Sequence, residues 1–392
     1  MNYLSDPYLS KAYCIEDLRR IARRRLPRAV FDVFDGGSEQ EHTLRDNVAA
    51  FARIRLMPKI LSGSATVDLR TSIVGTRAEM PIAIAPTGHA GVGWHGADLA
   101  IARAARRFGI PYSLATSATP SIEEMAQQVG GRLWFQCYMF KQRDFTHRLI
   151  QRAQDAGYEC LIVTVDLPVG GRRLRDLRND FADPFRFTLR NVTDFASRPA
   201  WALSMLLHGK PVLGNLTDFV PSGDVVAVTS TVGRNYDPAF DWDGLKGIRD
   251  AWKGKLLVKG VIRGDDVGPL VRMGCDGVVV SNHGGRQLDG CIASIDALPG
   301  VVSAAGGRLA VLLDGGIRHG SDVFKALALG AQAVLIGRAT LYGAFAGRDA
   351  GAARALSILE EELRRTMHLC GVRRISEITP DLLAPRATAP EQ

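Results

Sequence analysis

From about residue 81 onward, short runs of apolar residues alternate with stretches in which apolar and polar residues share a helical period. The runs contain few polar residues, which is typical of parallel strands that are covered on both faces of a sheet. The stretches between them, such as 97–109 and 144–157, have the spacing of amphipathic helices. Eight runs follow this pattern: 81–86, 110–116, 133–138, 160–166, 255–261, 277–282, 309–314 and 333–338.

Eight strand–helix units over roughly 250 residues predict a (β/α)8 TIM barrel, an α/β fold, rather than a doubly wound sheet. The first strand is not followed by a glycine-rich dinucleotide fingerprint, which agrees with that choice. We predict one domain over residues 1–392, in which a helical cap (1–80) covers one end of a barrel (81–380). The barrel carries a long insertion after its fourth strand (174–245), and the chain ends in a flexible tail (384–392).

The composition, 46% hydrophobic and 23% charged residues, suits a soluble globular protein with a large core. Apolar runs stay well short of the roughly 20 residues of a membrane-spanning helix, and the N-terminus lacks the apolar segment of an export signal. Six cysteines without a CxxC pair favour reduced thiols and argue against a zinc site. We therefore expect a cytoplasmic protein that binds no metal.

The formal net charge of +8 leaves two explanations open. A basic surface that is merely solvated is the simpler one, and attraction to an anionic surface or to anionic substrates is the other. A nucleic-acid partner is not expected, because the basic residues form no long block and lack interleaved aromatic side chains.

The stretch GVVVSNHGGRQLDG (277–290) brings a titratable ring and a guanidinium to the end of a buried strand. Active-site residues of such barrels lie at the carboxyl ends of the strands, so His283 is a candidate base. Asp166, after the fourth strand, is a candidate partner for its ring. Arg286 and Arg173 together suit bidentate binding of a carboxylate. A lone histidine after a strand is more often structural, but these charged partners favour catalysis.

Glycine-rich turns follow the seventh and eighth strands, in DGGIRHG (314–320) and after Ile336. Their free backbone N–H groups, with Arg318 and Arg338, have the position and chemistry of a barrel phosphate site. Tight turns with surface arginines are the alternative. A phosphate held there would place a cofactor ring across the barrel mouth, beside polar side chains of three other strands: Gln136, Thr164 and Lys259.

The same residues lie in motifs that resemble those of the FMN-dependent 2-hydroxy acid oxidase and dehydrogenase family, most of all its mandelate dehydrogenase branch. SNHGGRQLDG is similar to the signature of that family, and the likeness covers about residues 15–380. Other matching segments occur in the expected order: LPRAVFDVFDGG, WFQCY, TVDLPVGGRR, LLVKG, LDGGIR, KALALGA and IGRATLYG. The resemblance implies FMN as the cofactor, and a homotetramer. The implied reaction oxidises an L or (S) 2-hydroxy acid with a medium or aryl side chain, such as lactate or mandelate, to the 2-oxo acid.

The resemblance also implies a role for each candidate residue. His283 acts on the substrate as a base paired with Asp166, Tyr138 contacts the substrate hydroxyl, and Arg286 and Arg173 hold the carboxylate. Toward FMN, the backbone of Pro86, Thr87 and Gly88 approaches N5, and Lys259 lies near the N1/O2 edge. The ring, the ribityl chain and the phosphate are bound by the remaining candidates: Gln136, Thr164, Ser281, Asp314, Gly315, Gly316, Arg318, Gly337 and Arg338. The residues leave open whether His283 removes the α-proton or the hydroxyl proton.

Two positions depart from the family pattern. Val33 stands two residues before Asp35, where relatives usually have a tyrosine that helps to bind the carboxylate. Valine cannot donate that bond, which is worth about 1.5–3 kcal/mol with a charged partner. Weaker binding in a larger apolar pocket and a larger, non-standard substrate both explain the change. Ala115 stands where relatives often have a serine that touches the flavin.

The electron acceptor stays open between oxygen, as in an oxidase that makes hydrogen peroxide, and a quinone or other carrier. Gly88, where several oxidases have alanine, favours a dehydrogenase. Residues 198–210, with an apolar stretch from Trp201 to Leu207, have the composition to lie on the inner face of the cell membrane and reach a quinone. Packing of that stretch on the barrel or on a neighbouring subunit is an equal alternative. The intact site residues disfavour a non-redox flavin-binding scaffold or isomerase.

Overall fold

The computed structural model describes residues 8–180, 188–217 and 235–385. The first two strands of the chain, β1 (Thr71–Ile73) and β2 (Thr76–Ala78), form an antiparallel hairpin. Eight parallel strands then close into the predicted barrel, neighbouring one another in chain order around the ring. These strands are β3 (Ile82–Ile84), β4 (Tyr112–Ala115), β5 (Leu133–Tyr138), β6 (Cys160–Thr164), β7 (Lys255–Val261), β8 (Gly277–Val280), β9 (Ala310–Asp314) and β10 (Ala333–Ile336).

The barrel strands are apolar throughout because their side chains fill two separate cores. One set points outward and packs under the helices, as Val163 and Val278 do. The alternate set points inward and fills the barrel, as Ile162, Leu257 and Val279 do. A filled interior is a packed core and not a pore, which is the usual state of this fold.

The β1–β2 hairpin closes one end of the barrel. Ile73 and Ala78 of the hairpin belong to the interior cluster. Arg132, just before β5, donates to the carbonyl of Arg77 at 2.9 Å, which ties the hairpin to the amino ends of the strands. The carboxyl ends of the strands are therefore the end where a ligand can enter.

The helices lie around the barrel and over its open end. Those of the N-terminal region are α1 (Ile15–Arg25), α2 (Arg28–Asp35) and α3 (His42–Arg53). Asn47 of α3 and Asn282, after β8, exchange side-chain hydrogen bonds of 2.8 and 2.9 Å, so α3 is fixed to the carboxyl ends of the strands. The other helices are α4 (Ala90–Gly93), α5 (Ala97–Arg107), α6 (Ile122–Gln128), α7 (Arg143–Asp155), α8 (Leu174–Arg178), α9 (Leu189–Ala196), α10 (Pro199–His208), α11 (Trp242–Ala251), α12 (Val267–Arg272), α13 (Ser294–Ala305), α14 (Gly320–Ala328) and α15 (Arg338–Leu369).

The insertion after β6 contains α8, α9 and α10 and then returns to the barrel mouth. On its return, Asp237 donates its N–H to the carbonyl of Met139 at 2.9 Å, directly beyond β5. Residues 181–187 and 218–234 of the predicted insertion lie outside the described residues, as do 386–392 of the predicted tail.

Candidate active site

A cavity with about 1210 Å³ of empty space lies at the carboxyl ends of the barrel strands. The helices and loops of the N-terminal region form part of its wall, including Phe34 of α2. Most of the predicted site residues line it: Pro86, Thr87, Gly88, Tyr138, Arg173, Lys259, His283, Arg286, Asp314, Gly315, Gly316, Arg318, Gly337 and Arg338. Residues from strands that are far apart in the sequence thus share one space.

The predicted pair of a base and its carboxylate partner, His283 and Asp166, lies at one end of the cavity. His283 Nδ1 lies 2.9 Å from Asp166 Oδ1, and both side chains are largely buried, with 17% and 12% of their surface exposed. Because an ionised carboxylate only accepts hydrogen bonds, Nδ1 carries the proton and Nε2 is left as the basic nitrogen. Gly260 makes room for this pair, since a Cβ there would lie 2.7 Å from that of Asp166.

The electrostatics of the pair suit a general base. Burial lowers the pKa of His283 by more than the nearby Asp166 carboxylate raises it. Burial raises the pKa of Asp166, but the charge and hydrogen bond of His283 and the charge of Lys259 outweigh it and lower that pKa. His283 is therefore neutral near pH 7, and Asp166 is ionised beside it.

Arg286 and Arg173 line the cavity beside His283. Arg286 is anchored from behind, because its Nη1 donates to the carbonyls of Val33 at 2.8 Å and Gly36 at 2.9 Å. Burial and the charges of Arg173 and Arg338 lower the pKa of Arg286 to about 9, so it stays protonated at neutral pH. Arg173 Nε lies 3.2 Å from Asp176 Oδ2. Arg173 is 27% exposed, and together the two guanidiniums give this part of the cavity a positive charge that favours an anion.

Tyr138, at the end of β5, packs between His283 and a residue that the sequence did not single out. Its ring centroid lies 6.4 Å from that of His283 and 5.1 Å from that of Tyr236. Burial raises the pKa of both tyrosines, so their hydroxyls stay protonated. Tyr236 reaches the cavity because the returning insertion pairs with the chain at Phe140.

Lys259 is a buried charge in the centre of the cavity floor, with 3% of its surface exposed. Its Nζ lies 3.0 Å from Asp314 Oδ2 and donates to Ser281 Oγ at 2.7 Å. Burial lowers the pKa of Lys259, but the carboxylates of Asp314 and Asp166 outweigh it and raise that pKa. Ser281 Oγ also accepts the backbone N–H of His283 at 3.0 Å, so one hydroxyl connects Lys259 with the main chain that carries the base.

Several buried polar atoms near this floor have no protein partner within the described parts of the chain. They are Gln136 Nε2, Thr164 Oγ1 and Asp314 Oδ1. Burying such groups without a hydrogen bond costs about 1–3 kcal/mol each, so a ligand with matching donors and acceptors would bind here. The polar edge of the isoalloxazine ring and the ribityl hydroxyls of FMN have that chemistry, and the residues present therefore fit this cofactor.

Glycine backbone shapes the part of the cavity at the carboxyl ends of β9 and β10, which we call the phosphate end. It adjoins the part that contains His283, because the Gly36 carbonyl accepts from both Arg286 and Arg338. Gly315 and Gly316 have φ values of 94° and 82°, which only glycine adopts readily. A Cβ on Gly316 would also lie 2.0 Å from the carbonyl oxygen of Asn47 in α3. These turns expose backbone to the cavity close to Arg318 and Arg338, as a phosphate site requires.

The two arginines at this end are bound mainly to the protein itself. Arg338 donates to three carbonyls: Phe34 at 3.0 Å, Gly284 at 3.0 Å and Gly36 at 2.8 Å. Burial lowers the pKa of Arg338. Arg318 donates to the carbonyl of Ile317 at 2.8 Å and lies over the ring of Tyr342, 6.0 Å from its centroid. Arg338 thus fixes the walls of the site in addition to carrying charge into it.

Val33 contributes to the site through its backbone, because its carbonyl accepts a hydrogen bond from Arg286. Several residues of the cavity wall were not predicted from the sequence: Phe34, His89, Ser117, Leu167, Tyr236 and Gln287. His89, Leu167 and Gln287 had a signal in the sequence, because each of them directly follows a predicted site residue.

The family of the chain is established by similarity to known proteins. A family model described as FMN-dependent dehydrogenase matches residues 22–385. (S)-mandelate dehydrogenase of Pseudomonas putida is 40% identical over 369 residues, which cover 94% of this chain and 93% of that protein. L-lactate dehydrogenase of Caulobacter vibrioides is 41% identical over 374 residues, covering 94% and 97%.

Solved structures agree in fold over the same extent. The crystal structure of the monotopic membrane protein (S)-mandelate dehydrogenase has a TM-score of 0.92 at 39% identity and covers 95% of this chain and 99% of that one. Mandelate oxidase with (S)-4-hydroxymandelic acid has a TM-score of 0.83 at 36% identity, covering 95% and 98%. A closed barrel that is matched along most of the chain by the FMN-dependent dehydrogenase model defines the class as a flavin-dependent oxidoreductase. The chain belongs to the FMN-dependent dehydrogenase family, and its cofactor is FMN, as the sequence predicted.

Proposed function

We propose that this enzyme oxidises an (S) 2-hydroxy acid to the 2-oxo acid, with His283 as the base. The observation that carries the proposal is neutral His283 paired with ionised Asp166, beside the two arginines that line the same cavity. The names of the relatives, mandelate and lactate dehydrogenases, support the same substrate class.

The substrate carboxylate binds between Arg286 and Arg173, whose charges it neutralises. This places the hydroxyl-bearing carbon close to His283, where Nε2 accepts a proton from the substrate. Asp166 holds the ring in the required tautomer and stabilises the imidazolium that results. Tyr138 contacts the substrate hydroxyl from the other side. Whether the proton comes from the α-carbon or from the hydroxyl is left open by these contacts.

The residues of the barrel mouth hold FMN. Gln136, Thr164 and Ser281 bind the ring, with Pro86, Thr87 and Gly88 along one side of it. Asp314 binds the ribityl chain, and the phosphate lies against Gly315, Gly316, Gly337 and the two arginines at 318 and 338. When bound, FMN accepts the two electrons that leave the substrate. Lys259 contributes a fixed positive charge beside the ring, held by Asp314.

The electron acceptor is a quinone or other carrier rather than oxygen, and α10 provides the membrane contact. Leu203, Leu206 and Leu207 of α10 are exposed, with 54%, 80% and 70% of their surface accessible. Trp201 points inward instead and donates to the carbonyl of Val92 at 3.0 Å, which attaches the helix to the barrel. Among the described residues, no helix is long and apolar enough to cross a membrane. Under this proposal, the enzyme contacts the cytoplasmic side of the membrane along the face that carries α10. It does so as a homotetramer.

The membrane contact has a direct test. Replacing Leu206 and Leu207 by asparagine removes apolar surface worth about 1.5–3 kcal/mol for each fully buried side chain. The double variant should move from the membrane fraction to the soluble fraction and should still reduce a soluble dye with its substrate. The matched control is Leu369→Asn, since Leu369 of α15 is equally exposed at 69%. Unchanged partitioning of the double variant would show that α10 does not bind the membrane.

The reaction is tested by mixing the enzyme without oxygen with L and D 2-hydroxy acids, from glycolate and lactate to mandelate and 4-hydroxymandelate. We expect rapid bleaching of the flavin by one stereochemical series. Preference for aryl acids would identify Val33 as part of a wide apolar pocket. An enzyme with bound FMN that is bleached by none of them would contradict the proposal.

A further inference from the structure

His89 is a second histidine of the active-site cavity, and the mechanism above gives it no part. It follows Gly88 after β3 and lines the cavity together with His283, Arg173 and Arg286. Both histidines have left-handed backbone, with φ of 63° for His89 and 59° for His283. That conformation costs a residue with a Cβ roughly 1–2 kcal/mol. Strained residues of this kind are concentrated at functional sites, which makes the role of His89 worth resolving.

The backbone around His89 is held against one neighbouring segment, residues 117–119. Its N–H donates to the carbonyl of Ser117 at 2.8 Å, beyond β4. Gly91, two residues later, donates to Thr119 Oγ1 at 3.1 Å. A Cβ on Gly88 would lie 2.1 Å from Ser117 Oγ, so the chain passes close to its neighbour there. The imidazole therefore reaches the cavity from a fixed attachment point.

The charges around His89 indicate which part of a ligand it meets. Burial and the positive charges of Arg173 and Arg286 lower the pKa of His89 to about 4. The ring is therefore neutral at physiological pH, with an N–H on one of its two nitrogens. Arg173 and Arg286, which form the carboxylate site, line the same cavity as His89. A neutral donor adds a hydrogen bond there without adding a third positive charge.

We propose that His89 donates a hydrogen bond to the substrate carboxylate and forms a three-residue clamp with Arg173 and Arg286. The proposal rests on the oxidation of a 2-hydroxy acid proposed above. It also bears on position 33, since valine has no hydrogen-bond donor in its side chain and His89 supplies one from β3. The specificity that follows is for the carboxylate itself and not for the substrate side chain.

Two substitutions separate the donor from the backbone strain. His89→Gly removes the imidazole and relieves the left-handed conformation, so the fold is not put at risk. His89→Asn keeps an N–H donor on a residue that tolerates this conformation. His147→Asn, at an exposed histidine of α7, is the control for the same change outside the cavity. The holoenzyme of each variant is first checked for FMN content and melting temperature.

Two measurements then follow on each holoenzyme. One is the Kd of oxalate, a dicarboxylate without a side chain, by calorimetry. The other is the KM and limiting rate of flavin reduction for several 2-hydroxy acids. For His89→Gly we expect both the Kd and every KM to rise by about 10- to 100-fold, the value of one hydrogen bond to a charged group. The KM should change more than the limiting rate, and His89→Asn should recover most of the loss.

Three results would overturn the proposal. An unchanged Kd and KM in His89→Gly would mean that the imidazole does not touch the carboxylate. A KM change confined to substrates with one kind of side chain would place His89 at that side chain. A lower limiting rate with an unchanged KM would give it a part in the chemical step. These three results can be obtained only if the wild-type enzyme oxidises a 2-hydroxy acid. A wild-type enzyme that neither oxidises a 2-hydroxy acid nor binds oxalate would refute the proposed function and this inference with it.

Discussion

The two ends of the active-site cavity use different means to bind negative charge. At the substrate end, side chains provide the positive charge: the guanidiniums of Arg173 and Arg286, with the His283–Asp166 pair beside them. At the phosphate end, glycine backbone does most of it, and the donors of Arg338 are engaged by three carbonyls. The substrate end is thus arranged for groups that change charge during a reaction. The phosphate end is arranged to hold a permanent anion, and it should respond to substitution through cofactor retention and stability.

The largest effect should come from the base at the substrate end. His283→Gln removes the basic nitrogen, and general-base catalysis contributes about 10²–10⁴-fold, so the rate of flavin reduction should fall by that factor while FMN stays bound. His283→Asn, which tolerates left-handed backbone better, should lose as much. Stopped-flow absorbance without oxygen measures both. Near-normal flavin reduction in either variant would remove His283 from its role.

The counterpart at the phosphate end is Gly316→Ala. The new Cβ would meet the Asn47 carbonyl, and we expect the free energy of unfolding to drop by about 2–4 kcal/mol from overpacking and left-handed strain combined. FMN content should fall with it, while the KM of enzyme that retains FMN should stay unchanged. Gly307→Ala is the control, because it also has positive φ but its Cβ meets nothing within 4 Å. Equal losses in both variants would mean that strain alone matters.

Asp166→Asn tests the electrostatics of the base. The plateau rate should fall by about 10²-fold, because the imidazolium loses its counter-charge and the tautomer is no longer fixed. Activity needs neutral His283, so in wild type it should decline as the pH falls through the lowered pKa of that residue. Asp166 raises that pKa, so its loss should move the decline to still lower pH. A pH profile of kcat/KM checks both, and a shift to higher pH would contradict the account.

The smallest effects come from one substitution made at both ends. Lysine cannot reproduce the bidentate geometry of arginine, so Arg173→Lys should raise the KM by about tenfold and leave FMN content unchanged. Arg338→Lys leaves the carbonyl of Phe34 or of Gly284 without its arginine donor. It should lower the melting temperature and FMN content with little change in KM. A loss of FMN content in Arg173→Lys together with a raised KM in Arg338→Lys would mean that the substrate end and the phosphate end are assigned the wrong way round.

The barrel could be predicted from the sequence because each strand is apolar on both faces. The proximity of His283 and Asp166 could be predicted because both residues follow strand ends. The β1–β2 hairpin could not, since only one residue in each three-residue strand is buried and no alternation is visible. Tyr236 could not be predicted because its position depends on a pairing with Phe140, which precedes it in the sequence by nearly a hundred residues.

The sequence predicted that the glycine turns lie beside Arg318 and Arg338 at the barrel mouth, and all of them line one cavity, but it did not predict the contacts of these arginines. Charge and glycine content pointed to this placement, yet the sequence cannot tell whether an arginine faces a ligand or the carbonyls of a distant helix. Arg338 does the latter in part, because α2 ends at Asp35 and leaves the carbonyls of Phe34 and Gly36 beside the cavity.

The most direct test of the division between the two ends is a crystal structure of the FMN-bound enzyme with oxalate or the 2-oxo acid product. We predict a carboxylate between Arg286 and Arg173, with His283 Nε2 within hydrogen-bonding distance of the ligand and the FMN phosphate against Gly316. A carboxylate bound at Arg318 and Arg338, or one at Arg286 that is out of reach of His283, would contradict the account.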